Sequence, residues 1–258
     1  MSIEIGKFER YLKTTSFSEA TISSYLCSMR HYSTLFSDVS TELVQEYRKR
    51  CIKTHKPRTV NLRLCALQQY AKFMGQSVEI RQLRIQDPLF AERLLTEHDY
   101  KKVLSYVAGT DWYIAFRMLA CTGLRISESY QISVGDLKGT RKTIIGKGNK
   151  VRVVWFPLKF RQDVYPLLAG KNDNEPVMKW KSNYVRIKLR YIQNKLKLSS
   201  PLSPHDFRHL FARKVYAKTK DIYLIKDLLG HRNIQTTMRY LKVTVQSISK
   251  RISGLVDW

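Results

Sequence analysis

The chain has 258 residues, 43% of them hydrophobic, and 46 Lys and Arg against 21 Asp and Glu, for a net charge of +25. That length suits one large domain or two modest ones, and no run approaches the ~20 apolar residues of a membrane span. A charge this lopsided disfavours a compact state unless a polyanion shares it, which points to nucleic acid first, a membrane surface second, and away from a merely soluble basic protein.

In chain order, residues 1–84 read as helices. The stretch "SFSEATISSYLCSMRHYSTLF" predicts an N-cap at Ser18, followed by Ile22, Tyr25, Leu26 and Met29 at helical spacing. "STELVQEYRKRCIKTH" starts at Ser40 or Thr41 and stops before Pro57. "PRTVNLRLCALQQYAKFMG" places Val60, Leu64, Leu67 and Tyr70 on one face, with Gly75 ending the helix. The basic ends of these helices suit a DNA backbone, with Arg58 and Arg63 as the contact candidates. A plain helical bundle fits the same residues nearly as well. The mixed-charge stretch "VEIRQLRIQDPLFAERLL", with Pro88, reads as a linker, set at 85–95. It separates a helical domain over 1–84 from a second domain over 96–258.

Thr96 and Asp99 form a capping-box pattern that opens the second domain. "DWYIAFRMLACTG" is an apolar helix ending at Gly123. The runs "TII" and "VRVVWF" are β-rich and flank "GKGNK", which predicts a hairpin. Helices return over roughly 159–169, 182–197, 204–218, 221–229, 233–241 and 244–253. The fold class expected is mainly α with a small antiparallel β-sheet. Residues 135–200 hold 16 basic and 4 acidic residues, so the excess lies on a folded surface and not in a tail.

Cys27, Cys51, Cys65 and Cys121 are too scattered for a disulfide framework or a zinc cluster, and read as small buried residues in a reducing compartment. Nothing around Cys121 suggests a thiol nucleophile. "MSIEIGKFERYLK" has no apolar signal core, so a cytoplasmic protein is expected.

Three stretches suggest an anion site. Arg125 follows Gly123 at the start of a new helix, beside free backbone N–H groups. In "SPHDFRHLFARKVY", Ser203 is a candidate N-cap, Pro204 the first helical residue and Asp206 the capping-box acid. His205 and Arg208 then share one face in the first turn, where phosphate is favoured. His209 reads as a buried hydrogen-bonding histidine. In "LLGHRNIQTTMRYL", His231 follows the helix-ending Gly230, and Tyr240 comes nine residues later.

Taken together, Arg125 in "TGLRISE", Lys147 in "GKGNK", His205 and Arg208 in "HDFRH", His231 in "LLGH" and Tyr240 in "TTMRY" resemble the tyrosine site-specific recombinases, which include the Xer recombinases and phage integrases. The likeness covers about residues 90–245 strongly, and the helical N-terminal part looks like the family's core-binding domain. It implies that Tyr240 attacks a phosphodiester to give a 3′-phosphotyrosyl link, with Arg125 and Arg208 holding the non-bridging oxygens. His205 serves as base, Lys147 protonates the leaving 5′-oxygen, and His231 binds the phosphate. Glu128 matches the family's usual acidic residue, and His209 and Glu128 are supporting residues. Lys150 and Arg152 join Arg58 and Arg63 as DNA-contact candidates, with Lys150 also a rival to Lys147.

No metal or other cofactor is expected, since the histidines and carboxylates form no cluster suited to zinc or paired magnesium. The implied partner is double-stranded DNA with inverted-repeat half-sites, on which the protein self-associates as a dimer per site and a tetramer at synapsis, without a membrane. The stripe Val245, Ile248, Ile252 and Leu255 implies a tail that docks into a neighbouring protomer, its rival being packing on its own domain. The rival functions are a type IB topoisomerase and a non-catalytic DNA-binding protein such as a repressor.

Overall fold

The computed structural model describes residues 3–85, 94–146 and 148–240, without the side chains of residues 239 and 240. The chain divides into two compact units, Met1–Asp87 and Pro88–Trp258.

The first unit carries α1 (Ile5–Thr14), α2 (Glu19–Ser33), α3 (Thr41–Thr54) and α4 (Pro57–Phe73). Serine hydroxyls start two of them. Ser18 Oγ accepts from the Thr21 N–H and Ser40 Oγ from the Leu43 N–H, each satisfying a donor that the first turn leaves open. Val60, Leu64, Leu67 and Tyr70 all turn inward and pack with Phe8, Leu12, Met29 and Tyr32. Cys27 is exposed, against the expectation of burial, because it lies off the Ile22–Leu26–Met29 stripe through which α2 packs.

Helix does not continue to 84. Gly75 takes φ +67°, the left-handed backbone that ends a helix, and the chain then leaves regular secondary structure. Val78, Ile80 and Leu83 pack on the core of this unit. The Asn61 amide bonds both backbone groups of Leu83, at 2.8 and 2.9 Å. Residues 78–83 thus belong to the first unit, although their charge had suggested a linker. Most of the 85–95 stretch lies outside the described residues.

The second unit opens with α5 (Glu97–Tyr106), capped by Thr96 Oγ1, which accepts from the Asp99 N–H at 3.0 Å. There follow α6 (Asp111–Thr122), the single turn α7 (Ile126–Ser129) and a 3-10 turn at Gly135–Lys138. Strands β1 (Arg141–Gly146) and β2 (Lys150–Trp155) pair antiparallel. Then come α8 (Leu158–Val164), a 3-10 turn at Tyr165–Leu168, α9 (Ser182–Lys195), α10 (Pro204–Thr219), α11 (Ile222–Leu229) and α12 (Ile234–Tyr240). The helix expected over 159–169 is interrupted where Pro166 removes a backbone donor. The helix expected over 244–253 lies outside the described residues.

Register decides what the hairpin presents inward. Ile144 pairs with Arg152 and Lys142 with Val154. Side chains alternate across a strand, so Ile144, Arg152 and Val154 share one face. Ile144 and Val154 are buried there against the core formed by Phe116, Leu119 and Phe207. Among the described residues no helix is long and apolar enough to cross a membrane.

Candidate active site

Four helix ends and the hairpin meet at one place. Helix α6 stops at Gly123, whose φ of +65° suits glycine. A Cβ there would lie 2.5 Å from the Phe211 side chain, so the close approach of α10 also requires glycine. Leu124 is buried, and Arg125 then stands at the N-cap position of α7. One turn on, Glu128 points back inside with only 2% of its side chain exposed. Its carboxylate accepts from the Arg125 N–H at 2.8 Å, from Arg125 Nη1 at 2.7 Å and from Arg152 Nη2 at 2.8 Å. Arg208 Nη1 stands 3.8 Å away.

Burial alone would raise the pKa of Glu128. The backbone N–H of Arg125 and the Arg152 guanidinium more than offset that, and hold it at about 2. The carboxylate is therefore ionised at neutral pH and orients three guanidinium groups. Its folded pKa lies below the unfolded value near 4.5, so its stabilisation is present above pH ~4.5 and is lost as pH falls toward 2. The shift corresponds to roughly 3 kcal/mol. Glu128→Gln is expected to lower stability at pH 7 by that order, with the gap to the wild-type chain closing between pH 4.5 and 2. Urea unfolding across that range measures it, and a pH-independent gap would contradict the assignment.

Arg208, in the first turn of α10, is completely buried. Its guanidinium donates to the Gly123 carbonyl at 2.5 Å, to the Leu229 carbonyl at 2.6 Å and to His231 Nε2 at 2.9 Å. Both carbonyls lie at helix C-terminal ends, where the backbone dipole favours a cation. Gly230 ends α11 with φ +65°, and a Cβ on it would sit 2.6 Å from Arg152 Cδ. That glycine lets β2 slide its arginine beneath the loop that carries His231.

His231 is buried, its Nδ1 lying 2.8 Å from Thr237 Oγ1. Burial, then Arg208, Arg125 and Arg152, push its pKa down to about 3, so the ring is neutral. His205 reaches the surface, and the protein packed around its ring, followed by Arg208, lowers its pKa. Its ring meets His209 edge-on at 4.9 Å.

Two clefts share Arg125. One, of about 250 Å³, adjoins Gly146, Lys150, Lys226, His231 and Arg232. The other, of about 430 Å³, adjoins Arg186, His205 and Arg208. Cations thus line both sides of Arg125, a fitting place for a backbone phosphate.

The structure brings Arg125, Glu128, His205, Arg208 and His231 together. Tyr240 ends α12, the helix whose Thr237 bonds His231. Lys147 lies outside the described residues, between Gly146 and Lys150, both of which border the smaller cleft. Lys150 and Arg58 are exposed, as a backbone contact requires.

Two of the arginine candidates are engaged within the fold. Arg152 has 8% of its side chain exposed and is bound to Glu128 and to the Leu228 carbonyl, because the strand alternation turns it inward. Arg63 Nη1 donates to His31 at 3.0 Å and stands 3.4 Å from the Tyr47 hydroxyl, as a strut between α2, α3 and α4. Ser203 also differs from expectation. Its hydroxyl donates to the Asp206 carboxylate at 2.6 Å and caps no backbone N–H. Sequence reasoning missed Thr237, Arg186, Lys226 and Arg232. Only the position of Thr237, six residues after His231 and three before Tyr240, could have singled it out. Among the described residues no group of His, Cys, Asp and Glu is arranged to hold a metal ion.

The phage integrase family description matches residues 92–247, more than half of the chain. The chain belongs to the phage integrase family. Among its relatives is the tyrosine recombinase XerA of Thermococcus kodakarensis, 29% identical over 262 residues that span 95% of this chain and 93% of the relative. Tyrosine recombinase XerC of Rickettsia felis is 25% identical, spanning 95% and 93% of the two chains. The family's architecture recurs in solved structures. A lambda integrase dimer bound to a COC′ core site superposes with a TM-score of 0.74 at 17% identity, over 92% of this chain and 94% of that one. XerH bound to a palindromic difH substrate gives 0.71 at 19%, over 97% and 84%. The integrase fold, mainly helical with one small antiparallel sheet, is the one expected from the sequence.

Proposed function

We propose that this integrase-family chain is a site-specific recombinase that cuts and rejoins DNA through a 3′-phosphotyrosyl intermediate. The observation that carries the reading is the cluster in which Glu128 orients Arg125 and Arg152 beside the buried Arg208, with His231 bonded to Arg208 on one side and to the helix of Tyr240 on the other. In the reaction, the Tyr240 oxygen attacks phosphorus and the bond to the 5′-oxygen breaks. Charge gathers on the non-bridging oxygens, where Arg125 and Arg208 offer guanidinium N–H donors. Phenols ionise near pH 10, so the nucleophile needs a base. His205 suits this role because its lowered pKa keeps it neutral and able to accept a proton. Lys147 protonates the leaving 5′-oxygen, and His231 donates to the phosphate. Reversal with the 5′-hydroxyl of another strand exchanges strands, and the phosphotyrosyl bond conserves the energy of the one broken.

The basic excess over residues 135–200 makes duplex DNA the partner, with Lys150 and Arg58 as backbone contacts and the first unit as the core-binding domain. The lambda integrase relative is a dimer on its core site. By likeness, this chain pairs on inverted half-sites and forms a tetramer at synapsis; the tail expected to dock between protomers lies outside the described residues. It acts in the cytoplasm, where such DNA lies.

A site recovered by selection from random duplexes, placed twice on a supercoiled plasmid, tests the reading. Recombinant circles should form in EDTA without ATP, and yield should fall steeply with salt as counterion release weakens binding. Relaxed topoisomers without exchanged strands would favour a topoisomerase, and binding without covalent attachment a repressor.

A further inference from the structure

Thr237 belongs to none of the roles assigned above, yet it is completely buried on α12, one turn before Tyr240. Its hydroxyl meets His231 Nδ1 at 2.8 Å, and on the other side of the ring Nε2 meets Arg208 Nη2 at 2.9 Å. A guanidinium only donates. Nε2 must therefore accept, and in a neutral ring the proton sits on Nδ1 and is donated to Thr237 Oγ1.

That arrangement cannot serve a phosphate. A phosphodiester oxygen offers only lone pairs, so His231 must present an N–H at Nε2 to bind it. The proton then has to leave Nδ1, which becomes an acceptor and needs a donor. A hydroxyl fills both needs by rotating, since it accepts in one state and donates in the other. A hydrophobic side chain of the same shape fills neither, and leaving a buried polar group unpaired is costly.

We propose that Thr237 is a positioning residue that switches the tautomer of His231, with Nδ1–H when the site is empty and Nε2–H when a phosphate is bound. The proposal rests on the reading of Arg208 and His231 as phosphate ligands. When the phosphate arrives, Arg208 turns one N–H from Nε2 to an oxygen of the phosphate. The imidazole proton moves from Nδ1 to Nε2 by exchange with solvent, and the Thr237 hydroxyl reverses its bond. The ring remains neutral and no proton is gained overall. Because Thr237 shares α12 with Tyr240, the same hydrogen bond fastens the nucleophile's helix to the anion site.

The full chain labelled with 15N-histidine tests this. In the free protein the His231 resonances should show Nδ1 protonated and Nε2 bare. In the Tyr240→Phe background, bound to an uncut half-site duplex, they should show the reverse. Thr237→Val is expected to lower single-turnover cleavage of a nicked site about ten- to a hundredfold while changing half-site binding by at most about threefold. Thr237→Ser should return the rate to within about threefold of the wild-type value, because the hydroxyl is what matters. A ring with Nδ1 protonated in both states, whether neutral or cationic when bound, would overturn the switch, as would a valine variant that cuts at the wild-type rate. If the valine variant melts early, the tautomer comparison in the threonine-bearing chain still decides. A wild-type chain that never forms an adduct would sink the recombinase reading instead, and leaves the free-state tautomer as it is.

Discussion

Replacing Tyr240 by phenylalanine is expected to abolish the covalent protein–DNA adduct while leaving half-site affinity within about twofold, since only the nucleophilic oxygen is lost. The substrate that reveals this carries a nick near the cleavage point. The short fragment released by attack diffuses away, so religation fails and the adduct accumulates. A denaturing gel then reads the attached fraction directly. With wild-type protein a slower band should build up, and with Tyr240→Phe none should. The assignment follows from the end of α12, where the hydrogen bond between Thr237 and His231 ties that helix to the arginine cluster. An adduct that survives the substitution would place the nucleophile elsewhere in the chain.

Arg208→Lys should have the next largest effect. Arg208 spends its N–H groups on two helix-end carbonyls and His231, in a fully buried position. A lysine keeps the charge but brings three donors on a point-like ammonium and cannot hold this fork. Cleavage of the nicked substrate is expected to fall about a hundred- to a thousandfold, the usual loss when a positioned transition-state donor is removed. Unfolding stability is expected to fall as well, by about 2 kcal/mol or more, because carbonyls lose their partners and a buried charge is poorly matched. Single-turnover rates at saturating DNA, measured well below the variant's melting temperature, separate the two losses. Cleavage within tenfold of wild type would show that Arg208 holds the fold together without acting on the phosphate.

Sequence periodicity revealed the elements long enough to show a period, and local chemistry located their ends. Ser18, Ser40 and Thr96 all cap the helices they were expected to open, and Gly75, Gly123 and Gly230 all close one with left-handed backbone. The helix expected to start at Arg125 is there, but its single-turn length could not be read, because four residues cannot display a 3.6-residue repeat. Residues 78–83 misled because their charges suggest a linker, while the contact that fixes them comes from Asn61, a partner distant in sequence.

For the site, residue type and order found the cations but not their division of labour. Arg152 looked like a DNA contact from its basic neighbourhood, and only the strand register shows it turned toward Glu128. Glu128 was expected as a supporting acid. That it binds several guanidinium groups at once depends on contacts spanning 24 to 80 residues, which no local pattern records.

The most direct measurement is to identify the residue that carries the DNA. The wild-type chain is incubated with the nicked substrate in EDTA, the trapped complex is digested with protease and nuclease, and the nucleotide-bearing peptide is sequenced by mass spectrometry. The modified peptide should contain Tyr240, with the nucleotide joined through its 3′-phosphate and the released strand bearing a 5′-hydroxyl. A nucleotide on any other residue, a 5′-phosphate linkage, or cleavage that appears only when magnesium is restored would contradict the recombinase mechanism.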